Sequence, residues 1–161
     1  MSVNLLNIQW HLIYKHTSCL FYAVSTPPPD VAKIAFYAVL TQDLTLGQHQ
    51  IVEYDKAITN VGNAYDSRHG HFISPVKGVY SMSFALMNKD GGAVHIEMVR
   101  NGVQVAYGYV GSSDYNVGTQ VAIVMLEKGD MVWMRHPYSS IQTIYGYEYN
   151  TFAGTLLFTM E

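Results

Sequence analysis

After Pro29 the apolar residues alternate with polar ones instead of recurring at helical spacing, a period of two that predicts half-buried strands. From Val79 to Met87, Tyr80, Met82, Phe84 and Leu86 fall on one face while Ser81, Ser83 and Ala85 take the other. The alternation resumes with Val94, Ile96 and Met98 against His95 and Glu97, and again with Phe152, Gly154, Leu156 and Phe158. Turn-forming residues separate the runs: Lys89-Asp90-Gly91-Gly92, Arg100-Asn101-Gly102-Val103 and Glu127-Lys128-Gly129-Asp130. Asn-Gly accepts the positive φ angles of a tight hairpin. Short strands punctuated about every 8 to 12 residues predict an all-β fold, a two-sheet antiparallel jelly-roll sandwich.

Two of the strands look apolar on both sides. With Phe152, Leu156 and Phe158 directed inward, Ala153, Thr155 and Leu157 face out, and Ile34 and Phe36 alternate with Ala35, Tyr37 and Val39. Apolar surface of that extent outside the core marks an interface, and cyclic symmetry closes it without leaving a growing edge. The expectation is a homotrimer with Tyr37, Val39 and Leu157 near its interface.

Composition narrows the picture. The 161 residues are 49% hydrophobic and only 13% charged, enough for one well-packed core. A net charge of -3 without runs of like charge gives no footprint for nucleic acid or for an acidic membrane surface. Residues 1–30 read as an N-terminal extension ending in a stiff connector, Thr26-Pro27-Pro28-Pro29-Asp30, ahead of a domain over residues 31–161. The extension is no convincing signal peptide, because the run Cys19 to Val24 is short for an apolar region of about 7 to 15 residues and a basic start is missing. It is too polar to insert in a membrane, with Asn4, Asn7, Gln9, His11, Lys15 and His16 spread through it. The lone cysteine, Cys19, rules out an intrachain disulfide framework and leaves the redox compartment open.

Catalytic chemistry finds little footing. His69-Gly70-His71 offers two imidazoles, yet no third or fourth metal ligand stands at a suitable spacing. Nothing resembles a nucleophile elbow. The 13 tyrosines are more informative, because they crowd two regions predicted to contain loops: Tyr107 through Asn116, and Tyr138 continuing through Tyr145-Gly146-Tyr147-Glu148-Tyr149-Asn150. Tyrosine among Ser, Gly and Asn gives rigid amphipathic contact area with adaptable hydrogen bonding, as in recognition loops. It also suits sugars, whose apolar faces stack on rings while their hydroxyls pair with Asp and Asn. The candidate ligand-binding residues are Tyr107, Tyr109, Asp114, Tyr115, Asn116, Tyr138, Tyr145 and Tyr147. The competing explanation is that these tyrosines pair across a sheet and that Asp114 makes an ordinary Asx turn.

The segment from Tyr54 to Phe84 carries a further signal. Tyr54, Asn60, Tyr65, Phe72, Gly78, Tyr80, Met82 and Phe84 stand at the intervals of the complement 1q globular-head signature, with Tyr54 and Met82 where Phe is commoner. Ala35-Phe36-Tyr37-Ala38 resembles that family's opening strand, Leu126 to Asp130 followed by Val132-Trp133 its late turn and strand, and Thr151 to Leu157 its closing strand. The resemblance implies the jelly roll shared with tumour-necrosis-factor-like proteins, usually trimeric. It implies a head-only member, since no Gly-X-Y stalk occurs, and extracellular placement. By the same resemblance the protein is a non-enzymatic pattern-recognition lectin of innate immunity, like bivalve members, binding glycans or microbial surface ligands. The alternative is a cytokine-like or structural ligand for a protein receptor in grooves between protomers. Some members bind calcium through acidic residues in the loop before the strand Thr119–Met125. Here that loop offers Asp114 and then Asn116-Val117-Gly118, a thin oxygen set for a hard cation, so no cofactor is expected.

Overall fold

Alternation becomes architecture in the computed structural model, which describes residues 32–89 and 91–161. The extension over residues 1–30, with its proline connector and Cys19, lies outside the described residues. Twelve strands follow in order: β1 (Ala35–Val39), β2 (Leu44–Leu46), β3 (Lys56–Val61), β4 (Tyr65–Asp66), β5 (His71–Ile73), β6 (Gly78–Met87), β7 (Val94–Arg100), β8 (Val103–Val110), β9 (Val117–Leu126), β10 (Met131–Arg135), β11 (Gln142–Ile144) and β12 (Thr151–Thr159). They form one five-stranded sheet in the order β3-β1-β12-β6-β9, a second in the order β4-β5-β10-β7-β8, and a β11-β2 ribbon. All pairings are antiparallel. The non-sequential order is that of a jelly roll.

The alternating strand β6 behaves as the pattern dictates, burying Tyr80, Met82, Phe84 and Leu86. They meet Phe72, Ile96, Met98, Val132 and Met134 from the facing sheet in a continuous core. At its centre Phe36 stacks on Tyr65 with centroids 4.9 Å apart and planes 2° from parallel, stacks on Phe72 at 5.1 Å, and meets Phe152 edge-on at 4.9 Å. Offset and edge-on aromatic pairs add to the apolar burial of each ring.

The spaced signature residues earn their positions here. The Asn60 side chain closes the β3–β4 loop by donating to the Tyr65 carbonyl at 2.8 Å and accepting from the Tyr65 amide at 3.2 Å. Tyr65 in turn donates its hydroxyl to the buried Tyr54 carbonyl at 3.0 Å. Tyr80 donates to the Val76 carbonyl at 2.8 Å and accepts from Ser74 Oγ at 2.9 Å. Because burial strands an unpaired carbonyl, Tyr65→Phe is expected to lower stability by about 1 to 2 kcal/mol, read as a lower urea midpoint at unchanged slope. A loss within error would mean that the Tyr54 carbonyl finds another donor.

The β7–β8 hairpin is the tight turn expected of Asn-Gly. Arg100 pairs with Val103, while Asn101 and Gly102 both take positive φ, 49° and 87°.

Two expectations fail. Phe158 is not inward: a bulge between Leu156 and Phe158 inserts Leu157, so the alternation shifts and Phe158 is exposed. Val39 is covered by its own chain, at 2% exposure, and offers a partner no side-chain surface. It lies at the end of β1, where the amides of Tyr147 and Glu148 bond the neighbouring Thr41 and Leu40 carbonyls. Tyr37 and Leu157, in contrast, stand out from the sheet.

Candidate functional site

Three surfaces emerge. The first is the outer face of the β3-β1-β12-β6-β9 sheet. Cross-strand register sets Tyr37 beside Ala153, Ala153 beside Ser83, and Ser83 beside Val121. The next row runs Ala35, Thr155, Ser81 and Ile123. Small residues therefore line the middle, making a shallow trough of about 280 Å³ floored by Ala35, Ser81, Ser83, Ala153 and Gly154. Along its edge β9 raises an apolar ridge of Val121, Ile123 and Met125, each at least half exposed.

The second surface lies on the opposite sheet. Tyr107 and Tyr109 are not loop residues: both belong to β8, where Tyr107 pairs with Glu97 and Tyr109 with His95. Tyr138 joins them from the segment after β10. His95 lies 4.8 Å from the Tyr109 ring and 5.0 Å from that of Tyr138. Tyr107 donates its hydroxyl to Tyr138 at 2.8 Å and lies 2.9 Å from His95 Nδ1. The Tyr107 hydroxyl thus bridges the Tyr138 hydroxyl and the His95 imidazole. Beneath them Arg135 Nε donates to the buried Glu97 carboxylate at 2.5 Å. Burial, and then nearby His136, hold the His95 pKa below its ordinary value. Burial, the bond to Tyr138 and then Glu97 push the Tyr107 phenol up. Both rings are neutral at neutral pH, and the Tyr107 hydroxyl is engaged with both of its neighbours.

The third surface is a fan of tyrosines at the loops after β8 and β11. Tyr145 is the half-buried hub. Tyr115 meets it at 5.3 Å and 77°, Tyr147 at 5.4 Å and 33°, and Tyr149 at 5.5 Å and 38°. The last three rings are all more than half exposed. Burial, and then the adjoining tyrosines, raise the Tyr145 phenol.

Backbone bonds fix this fan. Tyr145 and Gly146 donate to the Met87 carbonyl at 3.0 Å and to Asp43 Oδ1 at 2.8 Å, and Tyr147 and Glu148 to the carbonyls of Thr41 and Leu40. At Gly146 any Cβ would fall 2.3 Å from the Gln42 carbonyl carbon, so only glycine lets the two segments approach. Tyr115, Tyr147 and Glu148 hold left-handed φ values of 55°, 52° and 68°. Asp43 pairs with Lys89, which together with the Gly146 amide depresses its pKa, and Lys56 pairs with Glu148 at 2.6 Å.

Two buried asparagines that the sequence reading passed over hold these loops. Asn150 accepts from the Met87 amide and donates to the carbonyls of Met87 and Tyr145, at 3.0, 3.0 and 2.5 Å. Asn88 accepts from the Asn116 amide at 2.8 Å, and its Nδ2 is shared among the Gly92, Gly111 and Ser113 carbonyls. Their only signal in sequence is an asparagine beside a strand run, after Met87 in one case and before Thr151 in the other, which many solvated turns also show. Asn116 belongs to this clasp. Asp114 is exposed, with its Oδ1 so close to Gly91 that a Cβ there would stand 2.9 Å off.

Of the paired histidines, His69 lies 2.9 Å from Asp66 Oδ2 while His71 packs edge-on against Trp133. Among the described residues no group of three or more His, Cys, Asp or Glu is placed to hold a metal ion.

A family model described as the C1q domain matches residues 35–157. The chain belongs to the C1q domain family. This C1q domain is 33% identical over 134 residues to complement C1q tumor necrosis factor-related protein 3 of Mus musculus, covering 81% of the chain and 53% of that relative. It is 32% identical over 137 residues to caprin-2 of Danio rerio, covering 81% of the chain and 15% of that relative. The chain thus spans about half the length of one curated relative and a smaller share of the other. Among solved structures, the globular domain of zebrafish complement 1qA superposes with a TM-score of 0.67 at 20% identity, over 80% of this chain and all of that one. Eiger TNF from S. frugiperda follows at 0.66 and 12% identity, over 81% and 96%. Murine APRIL gives 0.63 at 12% identity, over 78% and 99%. At these identities the structural likeness speaks for the fold.

Proposed function

We propose that this C1q domain is a non-enzymatic, extracellular recognition module that assembles as a homotrimer and binds glycan or microbial surface ligands in innate immunity. The observation that carries the recognition reading is the rigid display of exposed tyrosines. Holding several large rings in solvent gains the fold little, whereas pre-ordered aromatic surface lowers the entropic cost of capturing a ligand. The trough and the β9 ridge support the assembly. A ridge from one copy seated in the trough of the next is a head-to-tail contact, and three such contacts close a ring and cover the apolar face. Three shallow sites on one face of a ring then gain avidity on a repetitive surface.

The test is binding of the purified trimer to an immobilised panel of microbial and animal glycans, with and without chelator. Selective binding at least tenfold stronger for the trimer than for a monomeric variant is expected. A second reading, a cytokine-like ligand of a protein receptor, draws on the likeness to the tumor necrosis factor-related relative and to the Eiger TNF fold. A properly trimeric protein that leaves the whole panel silent would favour it.

A further inference from the structure

We infer that the tyrosine fan around Tyr145 is the saccharide site, and that it takes the apolar face of a neutral pyranose. This rests on the lectin reading above and adds where the sugar binds and of what charge it is.

The two tyrosine groups differ in the polar capacity they leave for a ligand. In the His95 group the hydroxyls of Tyr107 and Tyr138 are engaged with each other and with imidazole. In the fan, among the described residues, no hydrogen bond uses the phenol oxygen of Tyr115, Tyr145, Tyr147 or Tyr149. Four hydroxyls therefore stand ready to donate to, or accept from, sugar hydroxyls beside ring faces that can stack on sugar C–H bonds.

Geometry adds preorganisation. Tyr147 and Tyr149 both pack on the Tyr145 ring, at nearly equal tilts of 33° and 38°. Left-handed backbone at Tyr115, Tyr147 and Glu148 is disfavoured for residues with a Cβ, and such conformations persist where surrounding bonds over-determine them, commonly at ligand sites. Here the amides from Tyr145 to Tyr149 are all spoken for.

Charge selects the class of sugar. The cations beside the fan come as ion pairs, Lys56 with Glu148 and Lys89 with Asp43. Matched pairs offer no net attraction to a carboxylated or sulfated saccharide, which would have to displace a carboxylate already in place. A neutral ring pays no such cost. Tyr115, Tyr147 and Tyr149 each contact the Tyr145 ring at 5.3–5.5 Å and at 77°, 33° and 38°, so none lies parallel to the hub as the walls of a groove for an extended proline-rich peptide would.

The experiment immobilises four neutral polysaccharides (mannan, dextran, laminarin and galactan), two acidic ones (alginate and heparin) and a polyproline peptide, and measures binding of the full chain. The variants are Tyr147→Ala with Tyr149→Ala, and Ile141→Ala as a control for losing exposed apolar surface. Expected is binding to at least one neutral polysaccharide that falls more than tenfold in the double tyrosine variant. It should change less than twofold in Ile141→Ala, and less than twofold between about 0.05 M and about 0.5 M salt. Neutral-sugar binding that survives the double variant overturns the site while leaving the lectin reading standing. Binding confined to the acidic polymers, and lost in salt, overturns the neutral class. Capture of polyproline alone, or silence from a folded trimer, overturns both readings. Circular dichroism on the double variant separates lost binding from lost fold.

Discussion

A chain carrying Val121→Asp and Ile123→Asp is expected to fold normally and to sediment as a monomer of 18.0 kDa, where the proposed homotrimer of the unaltered protein would sediment at three times that mass. Both positions lie on the outward face of β9 at about 60% exposure, so in the single chain each new carboxylate stays in water and costs the fold little. In the assembly the same two side chains would enter a trough of alanine, serine and glycine that offers no cation. Burying an unpaired charge costs several kcal/mol after relaxation, and two of them per contact weaken association by factors on the order of a thousand or more. Sedimentation at micromolar concentration, with circular dichroism to confirm the β-sheet signal, reads the result. If the variant still forms trimers, the β9 ridge is not the contact. If the unaltered protein is monomeric, the homotrimer itself is wrong, and avidity cannot support weak sugar sites.

The difference between what the sequence shows and what the structure adds follows the range of the interactions involved. Alternation at Tyr80, Met82, Phe84 and Leu86 is local, decided by the two-residue pleat, so strands and core faces could be read directly. The spacing of Asn60, Tyr65 and Tyr80 was legible for a related reason, because each serves a hydrogen bond within eleven residues. A bulge is also local but leaves no mark in composition, and a single inserted residue at Leu157 was enough to turn Phe158 outward. Val39 was misplaced because its burial is a tertiary property that alternation along β1 does not carry; a loop over a hundred residues later bonds the backbone just past the end of that strand. The tyrosine groups were half legible. Their richness in aromatic residues flagged them, but the stretch from Tyr107 to Asn116 reads as a region containing a loop, where β8 in fact runs to Val110. The partners that divide them into two groups, His95 for one and Tyr145 for the other, depend on cross-strand register and loop docking. Asp114 looks like a ligand acceptor from its neighbours in sequence, and the structure adds that its carboxylate lies close to Gly91, a proximity that local sequence does not show.

Loop docking also sets the second large effect: Asn150→Ala is expected to lower stability by about 3 kcal/mol, a large share of the roughly 5 to 15 kcal/mol that holds a domain of this kind. The side chain is fully buried and serves three backbone groups, the amide and carbonyl of Met87 and the carbonyl of Tyr145. Alanine leaves the Met87 amide and the Tyr145 carbonyl without this partner and the Met87 carbonyl with only the Tyr145 amide, at about 1 kcal/mol or more for each bond lost, and the small cavity left behind is polar enough that only a trapped water could recover part of the loss. Asn150→Asp sharpens the test. It keeps nearly the same volume but replaces the donating amide by an oxygen that must face the Met87 and Tyr145 carbonyls, so it should destabilise at least as much as alanine if hydrogen bonding is the cause. A shape effect alone would leave the aspartate variant close to the unaltered protein. Urea unfolding measures both. The consequences reach the surface because Tyr145 is the hub on which Tyr115, Tyr147 and Tyr149 lean, and its carbonyl is one of the three groups released. Even where the Asn150→Ala chain remains folded, saccharide binding by the fan should weaken by about tenfold, since rings no longer held in place must be ordered by the ligand itself.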